Sequence, residues 1–384
     1  MGQATLGGSI IIKQNKDMDQ CMMKVKIAYS RIGSILATLS VFLASCSPVS
    51  GSTSSNTPAG AKTGTSSTAI GIEIYFTDPG SRSAKDYQGG PAAALADAIY
   101  NARLSVDMAI YSLNLWSIRD ALLQAKQRGV VVRMVLESDN MDSQEIQALK
   151  DGGIPVIGDQ SEGLMHNKFV VIDQAEVWTG SMNYTMNGGY EDNNNLVRIQ
   201  SSQVAEDYTS QFEDMFSQNL FGPDARLASS ITEFNVNGIP VEVYFSPEDN
   251  VETKILSLIR HAKESVFFMA YSFTSNSLGD AVREKATEGV KVEGVMDANQ
   301  INSNLGSEFD SFKQAGLSVR QDGLNGLMHH KVIIIDQKIV ITGSYNFTRS
   351  ANETNDENVI VIHNTDVADQ FLAEFNRIYQ LAKP

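Results

Sequence analysis

The stretch GLMHNKFVVID, from Gly163 to Asp173, returns almost unchanged as GLMHHKVIIID from Gly326 to Asp336. In each copy a lysine follows the histidine by two residues, and an aspartate closes an apolar run five residues after the lysine. Side chains two residues apart in a strand point to the same side of a sheet, so each histidine shares a face with its lysine. The chain has only 5 histidines, and two of them in this frame indicate a polar site at the entry of two buried strands.

The repeated pattern is much longer than these eleven residues. The stretch IEIYFTDPG at 72–80 matches VEVYFSPED at 241–249, and the motif histidines and the motif aspartates are each separated by 163 residues. Strands and amphipathic helices alternate in both halves, which predicts an α/β fold with helices on the faces of the sheets. We therefore place a first repeat at residues 70–221 and a second at 238–384.

Charge and cysteine content narrow the classes of function. The net charge is −15, and it becomes more negative once the basic N-terminal segment is set aside. An acidic surface repels polyanions at long range, which lowers the expectation of a nucleic-acid partner without excluding a local basic groove. Cys21 and Cys46 are the two cysteines, so the body of the chain has neither a disulfide framework nor thiolate ligands for zinc or an iron–sulfur cluster.

The N-terminal segment has the pattern of an export signal. The basic stretch MMKVK at 22–26 precedes the apolar run IGSILATLSVFLAS, and the residues LASC end at Cys46. LASC resembles a bacterial lipobox, whose cysteine becomes the lipidated first residue; an ordinary secretory signal is the alternative. We expect residues 1–45 to be a signal segment, with 1–21 as an upstream extension, and 46–69 to be a Ser/Thr/Gly-rich tether. The expected location is the bacterial cell envelope, exported and lipid-anchored, on the periplasmic side or the outer cell surface.

A second repeated motif follows each apolar run. GSMN begins at Gly180 and GSYN at Gly343, seven residues after each motif aspartate. The serine and asparagine of each copy project as an i, i+2 pair that can donate neutral hydrogen bonds to phosphate oxygens. We therefore predict phosphate binding by four residues: Ser181, Asn183, Ser344 and Asn346.

Each half thus combines an imidazole, an ammonium group, a hydroxyl and an amide. Lys168 and Lys331 can neutralise anionic oxygens, and His166 and His329 can act as nucleophile or general acid. The doubled set fits one phosphodiester held between two lysines and two histidines, and the sequence offers no cluster of metal ligands beside it.

The pattern H-x-K-x4-D followed by G-S-x-N, present twice, resembles the phospholipase D superfamily, and the likeness runs from about residue 70 to the C-terminus. The resemblance implies two homologous α-β-α domains with mixed β-sheets, related by a pseudo-twofold axis, with one active site at their interface. It also implies phosphodiester cleavage without a metal or other cofactor, through a phosphohistidine on one motif histidine. Asp173 and Asp336 complete the signature and, by the resemblance, serve structure more than substrate contact. His330 has Asn167 as its counterpart and is interpreted as incidental.

Members of this family often have a glutamate 28 residues after each motif histidine, where it orients the imidazole. That position is Glu357 in the second half but Asn194 in the first, with neighbouring acidic residues as alternatives for the role. We expect Glu357 to orient His329 and raise its pKa, which suits a general acid. Asn194 would then leave His166 more nearly neutral, which suits a nucleophile.

The leading hypothesis is hydrolysis of a phospholipid or a similar phosphodiester. The acidic body and the expected membrane anchor favour phospholipid over nucleic acid as the partner. The first alternative is a metal-independent nuclease acting on DNA or RNA, since compact two-repeat members resemble the nuclease branch as much as the lipase branch. Phosphatidyl transfer to an alcohol and a catalytically inactive binding module rank below these, and no obligate protein partner is evident.

Overall fold

The structure, a computed structural model, describes residues 71–225 and 231–383. The predicted signal segment, the tether and Cys46 lie outside the described residues. Within the two described ranges, no helix is both long enough and apolar enough to cross a membrane.

Seven strands form the first sheet: β1 (Ile72–Phe76), β2 (Ser105–Ile110), β3 (Val131–Leu136), β4 (Val156–Gly158), β5 (Lys168–Ile172), β6 (Glu176–Gly180) and β7 (Asn195–Gln200). Their order across the sheet is β1-β7-β6-β5-β2-β3-β4. The last three strands in this order are parallel to one another, and the other neighbours pair antiparallel, so the sheet is mixed.

Eight strands form the second sheet: β8 (Glu233–Val236), β9 (Ile239–Ser246), β10 (Ser265–Ala270), β11 (Lys291–Met296), β12 (Ser318–Gln321), β13 (Lys331–Ile335), β14 (Ile339–Gly343) and β15 (Glu357–His363). Their order is β12-β11-β10-β13-β14-β15-β9-β8. Apart from the added edge strand β8, this order is the first sheet repeated, with β13 in the place of β5.

Twelve α-helices lie in the described residues: α1 (Arg82–Lys85), α2 (Gly90–Asn101), α3 (Trp116–Gln127), α4 (Gln144–Asp151), α5 (Met186–Tyr190), α6 (Ser202–Gln218), α7 (Val251–His261), α8 (Asn276–Thr287), α9 (Ala298–Ser303), α10 (Phe309–Gln314), α11 (Arg349–Glu353) and α12 (Thr365–Leu381). The long helices α6 and α12 lie in equivalent places of the two halves. Side chains at their N-caps, Ser201 and Asn364, accept the backbone N–H groups of Val204 and Val367.

Three apolar clusters hold the elements together. Two of them each lie within one half and include the helix pairs α2–α3 and α7–α8, whereas the third contains residues from both sheets together with α6 and α12. The motif strands β5 and β13 are buried at every position, because both faces of each sheet are covered. The observed architecture confirms the predicted α/β fold of two related domains with mixed sheets.

The motif aspartates fasten the far end of each motif strand. The carboxylate of Asp173 accepts the N–H groups of three consecutive residues at the start of β2, Arg103, Leu104 and Ser105, at 2.6–3.1 Å. Asp336 accepts the equivalent three N–H groups of Lys263, Glu264 and Ser265. Although burial opposes it, these backbone donors hold the pKa of Asp336 below its usual value. Both aspartates therefore bind the β5–β6 and β13–β14 turns to the neighbouring strand.

The glycines that open the two motif copies lie directly beneath the backbone of the other repeat. A Cβ atom on Gly163 would lie 2.0 Å from the carbonyl oxygen of Thr354, and one on Gly326 would lie 1.9 Å from that of Glu191. No side chain fits at either position unless the backbone moves.

We expect Gly326→Ala to lower the free energy of unfolding by about 1–3 kcal/mol, the usual cost of overpacking a close-packed interior. Thermal denaturation measures the effect. Gly80→Ala is the control, because a Cβ atom there meets its nearest neighbour at an ordinary 3.4 Å. Equal melting temperatures for the two variants would contradict the close approach at Gly326.

Candidate active site

The segment before each motif histidine pairs with backbone of the other repeat. The His166 N–H donates to the Asp356 carbonyl oxygen at 2.9 Å, and the His329 N–H donates to the Asn193 carbonyl oxygen at 2.9 Å. Each contact is a short parallel bridge between the two halves. The two histidines are therefore placed by the interface and not by their own repeats alone.

The histidine side chains are also oriented across the interface. His166 Nδ1 lies 2.8 and 2.9 Å from the two carboxylate oxygens of Glu357. His329 Nδ1 lies 2.9 Å from the Asn194 side-chain oxygen and 3.1 Å from the Ser181 carbonyl oxygen. The predicted pairing of Glu357 with His329 and of Asn194 with His166 is wrong, because each orienting residue reaches the histidine of the opposite repeat.

These contacts define the protonation pattern of the rings. Both partners of His329 Nδ1 are oxygen acceptors, so Nδ1 carries the proton and Nε2 keeps a lone pair in the neutral ring. Burial, reinforced by the two lysines, lowers the pKa of His166 and of His329. Burial raises the pKa of Glu357 to about 8, against the opposing pull of Lys168. His166 and Glu357 thus form a buried pair in which Nδ1 and a carboxylate oxygen lie 2.8 Å apart.

The motif lysines are fully inside the protein. Lys168 and Lys331 are 0% and 1% exposed, and each ammonium group donates to the carbonyl oxygen of the histidine in its own motif at 2.8 Å. Burial lowers the pKa of Lys168 to about 7, and burial with repulsion from Lys168 lowers the pKa of Lys331 well below its usual value. Each ammonium group thus lies in the electrostatic field of the other, and a bound anion would offset their repulsion.

We expect Lys168→Met to raise the free energy of unfolding by about 1–4 kcal/mol, since an apolar side chain replaces a buried charge. The pKa of Lys168 is about 7 in the folded chain and about 10.4 in the unfolded chain. The free energy of unfolding of the parent chain therefore increases as the pH rises from about 7 to about 10.4. The gain in the variant is therefore largest below pH 7. Urea denaturation at pH 6 and pH 9 measures it, and a loss of stability at pH 6 would contradict it.

The motif serines support the orienting residues. The Ser181 hydroxyl donates to the Asn194 side-chain oxygen at 2.9 Å and accepts the Asn195 N–H at 3.0 Å. The Ser344 hydroxyl likewise bonds Glu357 and accepts the Asn358 N–H. Both serines are 0% exposed. Their hydroxyls, predicted to bind phosphate, are thus engaged with protein groups in the layer behind the histidines.

The motif asparagines differ from the serines. Asn183 and Asn346 are half-buried, and the side-chain oxygen of each has no hydrogen-bond partner among residues 71–225 and 231–383. These unpartnered oxygens are acceptors, so only the NH2 group of each amide could donate to a phosphate oxygen. Phosphate binding by these two residues remains a prediction.

Two tyrosines complete the walls of the site. The Tyr111 ring lies 5.1 Å from the His166 ring, and the Lys168 ammonium is 5.2 Å from its centre. Tyr271 repeats the arrangement in the second half, 4.5 Å from the His329 ring and 4.7 Å from the Lys331 ammonium. The matched stretches AIYS and MAYS carried this signal in the sequence, because a tyrosine directly follows β2 in one and β10 in the other.

A buried polar network joins the repeats beneath the histidines. Its hydrogen bonds link Asn195 to Thr342 and His330, and Asn358 to Thr179 and Asn167. His330 accepts from the Asn195 amide through Nδ1, so its Nε2–H donates to Glu374 at 3.2 Å. His330 is therefore a structural residue of the interface. Like its counterpart Asn167, it accepts a hydrogen bond from an asparagine amide of the other repeat.

The part of the chain that the structure describes contains no group of three or more His, Cys, Asp and Glu side chains arranged to hold a metal ion.

Comparison with known families agrees with this geometry. A family model described as cardiolipin synthase, PLD-like domain, matches residues 95–216 and again 255–379, one match in each repeat. The chain belongs to the phospholipase D superfamily. The crossed histidine contacts described above are thus the centre of a two-repeat member of that superfamily.

Individual relatives match over about the length of one repeat. Mitochondrial cardiolipin hydrolase of Mus musculus is 36% identical over 132 residues, which are 34% of this chain and 59% of the relative. Phospholipase D of Rickettsia bellii is 34% identical over 145 residues, 37% of this chain and 72% of the relative. The chain thus spans under two thirds of the cardiolipin hydrolase.

Solved structures extend the comparison to the whole fold. Phosphatidylserine synthase of Haemophilus influenzae has a TM-score of 0.59 over 82% of this chain and 88% of its own, at 15% sequence identity, and it therefore shows the fold alone. Nuc of Salmonella typhimurium, a phospholipase D family member, is 34% identical and covers 37% of this chain and 95% of its own, with a TM-score of 0.35.

Proposed function

We propose that this chain is a phospholipase D-type phosphodiesterase that hydrolyses its substrate through a phosphohistidine intermediate. The observation that carries the proposal is the crossed pair of histidines, each fixed through Nδ1 by a side chain of the other repeat and flanked by buried lysines. Fixing Nδ1 leaves Nε2 of each ring for chemistry. One ring then attacks phosphorus while the other handles the proton of the leaving group.

In the first step His166 Nε2 attacks phosphorus, forming a nitrogen–phosphorus bond as the bond from phosphorus to the leaving alcohol oxygen breaks. His329, protonated on Nε2, gives that proton to the leaving oxygen. A bound phosphate anion favours this protonated state, which burial alone disfavours. Lys168 and Lys331 offset the negative charge that accumulates on the phosphoryl oxygens.

In the second step His329, now neutral, takes a proton from water. The water oxygen attacks phosphorus, the nitrogen–phosphorus bond breaks, and a phosphate monoester leaves. His166 recovers its lone pair on Nε2, and His329 again holds the proton needed for the next cycle. The atoms and protons of both steps balance without a redox partner.

Charge supports His166 as the proposed nucleophile. A phosphorylated imidazole with a proton on Nδ1 is a cation throughout the life of the intermediate, and Glu357 lies 2.8 Å from that nitrogen of His166. An acid–base group must instead gain and lose its proton readily, which suits His329 beside the uncharged Asn194 amide. His166 therefore remains the proposed nucleophile. The sequence pattern indicated this role for a nearly neutral ring beside Asn194, whereas the structural reason is its contact with the Glu357 carboxylate.

We propose a phospholipid or similar phosphodiester as the substrate, in preference to DNA or RNA. The net charge of −15 disfavours a polyanion. Relatives named cardiolipin hydrolase and phospholipase D support a lipid substrate.

A substrate panel tests the proposal. It comprises phosphatidylcholine, phosphatidylglycerol, single-stranded DNA, duplex DNA and bis-p-nitrophenyl phosphate, each in excess EDTA, with His166→Ala as the inactive control. We expect hydrolysis of the small diester and of at least one phospholipid. Activity that is lost in EDTA and restored by Mg²⁺ or Zn²⁺ would overturn the phosphohistidine mechanism, and cleavage of DNA alone would establish the nuclease alternative.

We also propose that the chain is anchored through a lipidated Cys46 in the bacterial cell envelope, which the residues LASC and the following Ser/Thr/Gly-rich stretch support. We expect the mature protein in the membrane fraction to begin at a lipid-modified Cys46. Mass spectrometry of that fraction tests this, and an unmodified Cys46 there would refute it. A Cys46→Ser variant is the matched control and should leave the membrane fraction.

A further inference from the structure

Two leucines lie beside the catalytic histidines at equivalent positions in the motif. Leu164 and Leu327 each precede a motif histidine by two residues. The methionine between each leucine and its histidine is fully buried in both copies. Leu164 is 36% exposed and Leu327 is partly exposed. Because the methionine between each leucine and its histidine is buried, alternation along this extended segment places each leucine on the same side as its histidine.

A third leucine stands out from the rim of the second repeat. Leu305 is 97% exposed, in the loop between α9 and α10. This loop is fixed beside the site, because the Asn304 side chain donates to the Ser272 hydroxyl at 2.8 Å and the Glu308 N–H donates to the Phe273 carbonyl oxygen at 3.0 Å. Both acceptors directly follow Tyr271, whose ring contacts His329.

A tryptophan occupies the rim of the first repeat. Trp116 begins α3, five residues after Tyr111, and its side chain is 65% exposed. The indole N–H is satisfied by a carboxylate oxygen of Glu145 at 3.0 Å. The Arg119 guanidinium lies over one face of the ring, 5.9 Å from its centre, and most of the side chain stays exposed while its polar atom is paired. A largely exposed indole with a paired N–H suits a boundary between water and an apolar phase.

We propose that these four residues, the apolar rim, rest on a lipid surface of neutral, zwitterionic composition while the site takes up a phosphodiester. The inference rests on the proposed function and adds the physical form of the substrate, a packed lipid layer. The histidines are only 7% and 6% exposed, so the diester reaches them through a small opening, and Leu164 and Leu327 lie two residues before them in the chain. Burial of exposed apolar side chains in a lipid layer favours contact there. The negative net charge disfavours an anionic layer.

A single substitution on the rim tests the inference. We use the full chain with Cys46→Ser throughout, so that an anchor cannot contribute, and compare Leu305→Ser with Leu104→Ser. Leu104 is a matched control because it is 67% exposed and lies at the Asp173 end of the sheet, away from the histidines. Sedimentation with phosphatidylcholine vesicles measures binding, and vesicle hydrolysis and bis-p-nitrophenyl phosphate hydrolysis measure turnover.

We expect Leu305→Ser to weaken vesicle binding and vesicle hydrolysis about tenfold, the effect of removing one leucine from a lipid contact. The rate on the soluble diester should not change, and Leu104→Ser should behave as the parent. Equal vesicle binding by the two variants would overturn the inference, as would equal losses on vesicles and on the soluble diester. Failure of the parent on the soluble diester would instead overturn the proposed function, because vesicle binding is measured without turnover.

Discussion

His166→Ala should never form a covalent intermediate, whereas His329→Ala should form it and stop there. On bis-p-nitrophenyl phosphate, whose leaving group needs little protonation, His329→Ala should release about one equivalent of p-nitrophenol in a burst and then stall, because no base activates water. On a phospholipid both variants should lose at least about ten-thousandfold in turnover. Rapid-mixing absorbance and peptide mapping of the trapped phosphoryl adduct measure the two outcomes.

Lys126→Ala is the control for the trapping experiment, since Lys126 lies on α3 away from the site. An adduct that maps to His329 and persists in His166→Ala would reverse the two roles. In that case Asn194, and not Glu357, would be the residue that orients the nucleophile.

The crossed contacts predict that substitutions in one repeat act on the histidine of the other. Glu357→Gln should slow the burst on bis-p-nitrophenyl phosphate roughly a hundredfold or more, because the charge that stabilises phosphorylated His166 is lost. Asn194→Ala should leave that burst nearly unchanged and slow phospholipid turnover by a similar factor, because His329 is no longer held for proton transfer. Burst rate and phospholipid turnover measured on both variants give the comparison.

Pairing within each repeat predicts the opposite pattern, with Glu357→Gln affecting proton transfer and Asn194→Ala affecting the burst. Glu357→Asp separates charge from shape, since it keeps the carboxylate on a shorter side chain. Partial recovery of the burst in Glu357→Asp over Glu357→Gln would show that charge, and not packing alone, is required at this position.

The spacing of residues along the chain determined the features that depend on a single strand or on the recurrence of the motif. A two-residue spacing places His166 and Lys168 on one face because successive side chains in a strand alternate. The recurrence of the pattern 163 residues later required a second domain of the same kind. The buried runs after each lysine required sheets covered on both faces, as found for β5 and β13.

Only the tertiary structure decided which residues of one repeat contact the motif histidine of the other. Glu357 follows His329 by 28 residues, yet β15 begins at the interface and directs the Glu357 carboxylate to His166. Sequence spacing specifies faces within a repeat, but it does not state which side chains meet across a pseudo-twofold axis. For the same reason the interface roles of His330 and Ser181 became visible only when the second repeat stood opposite the first.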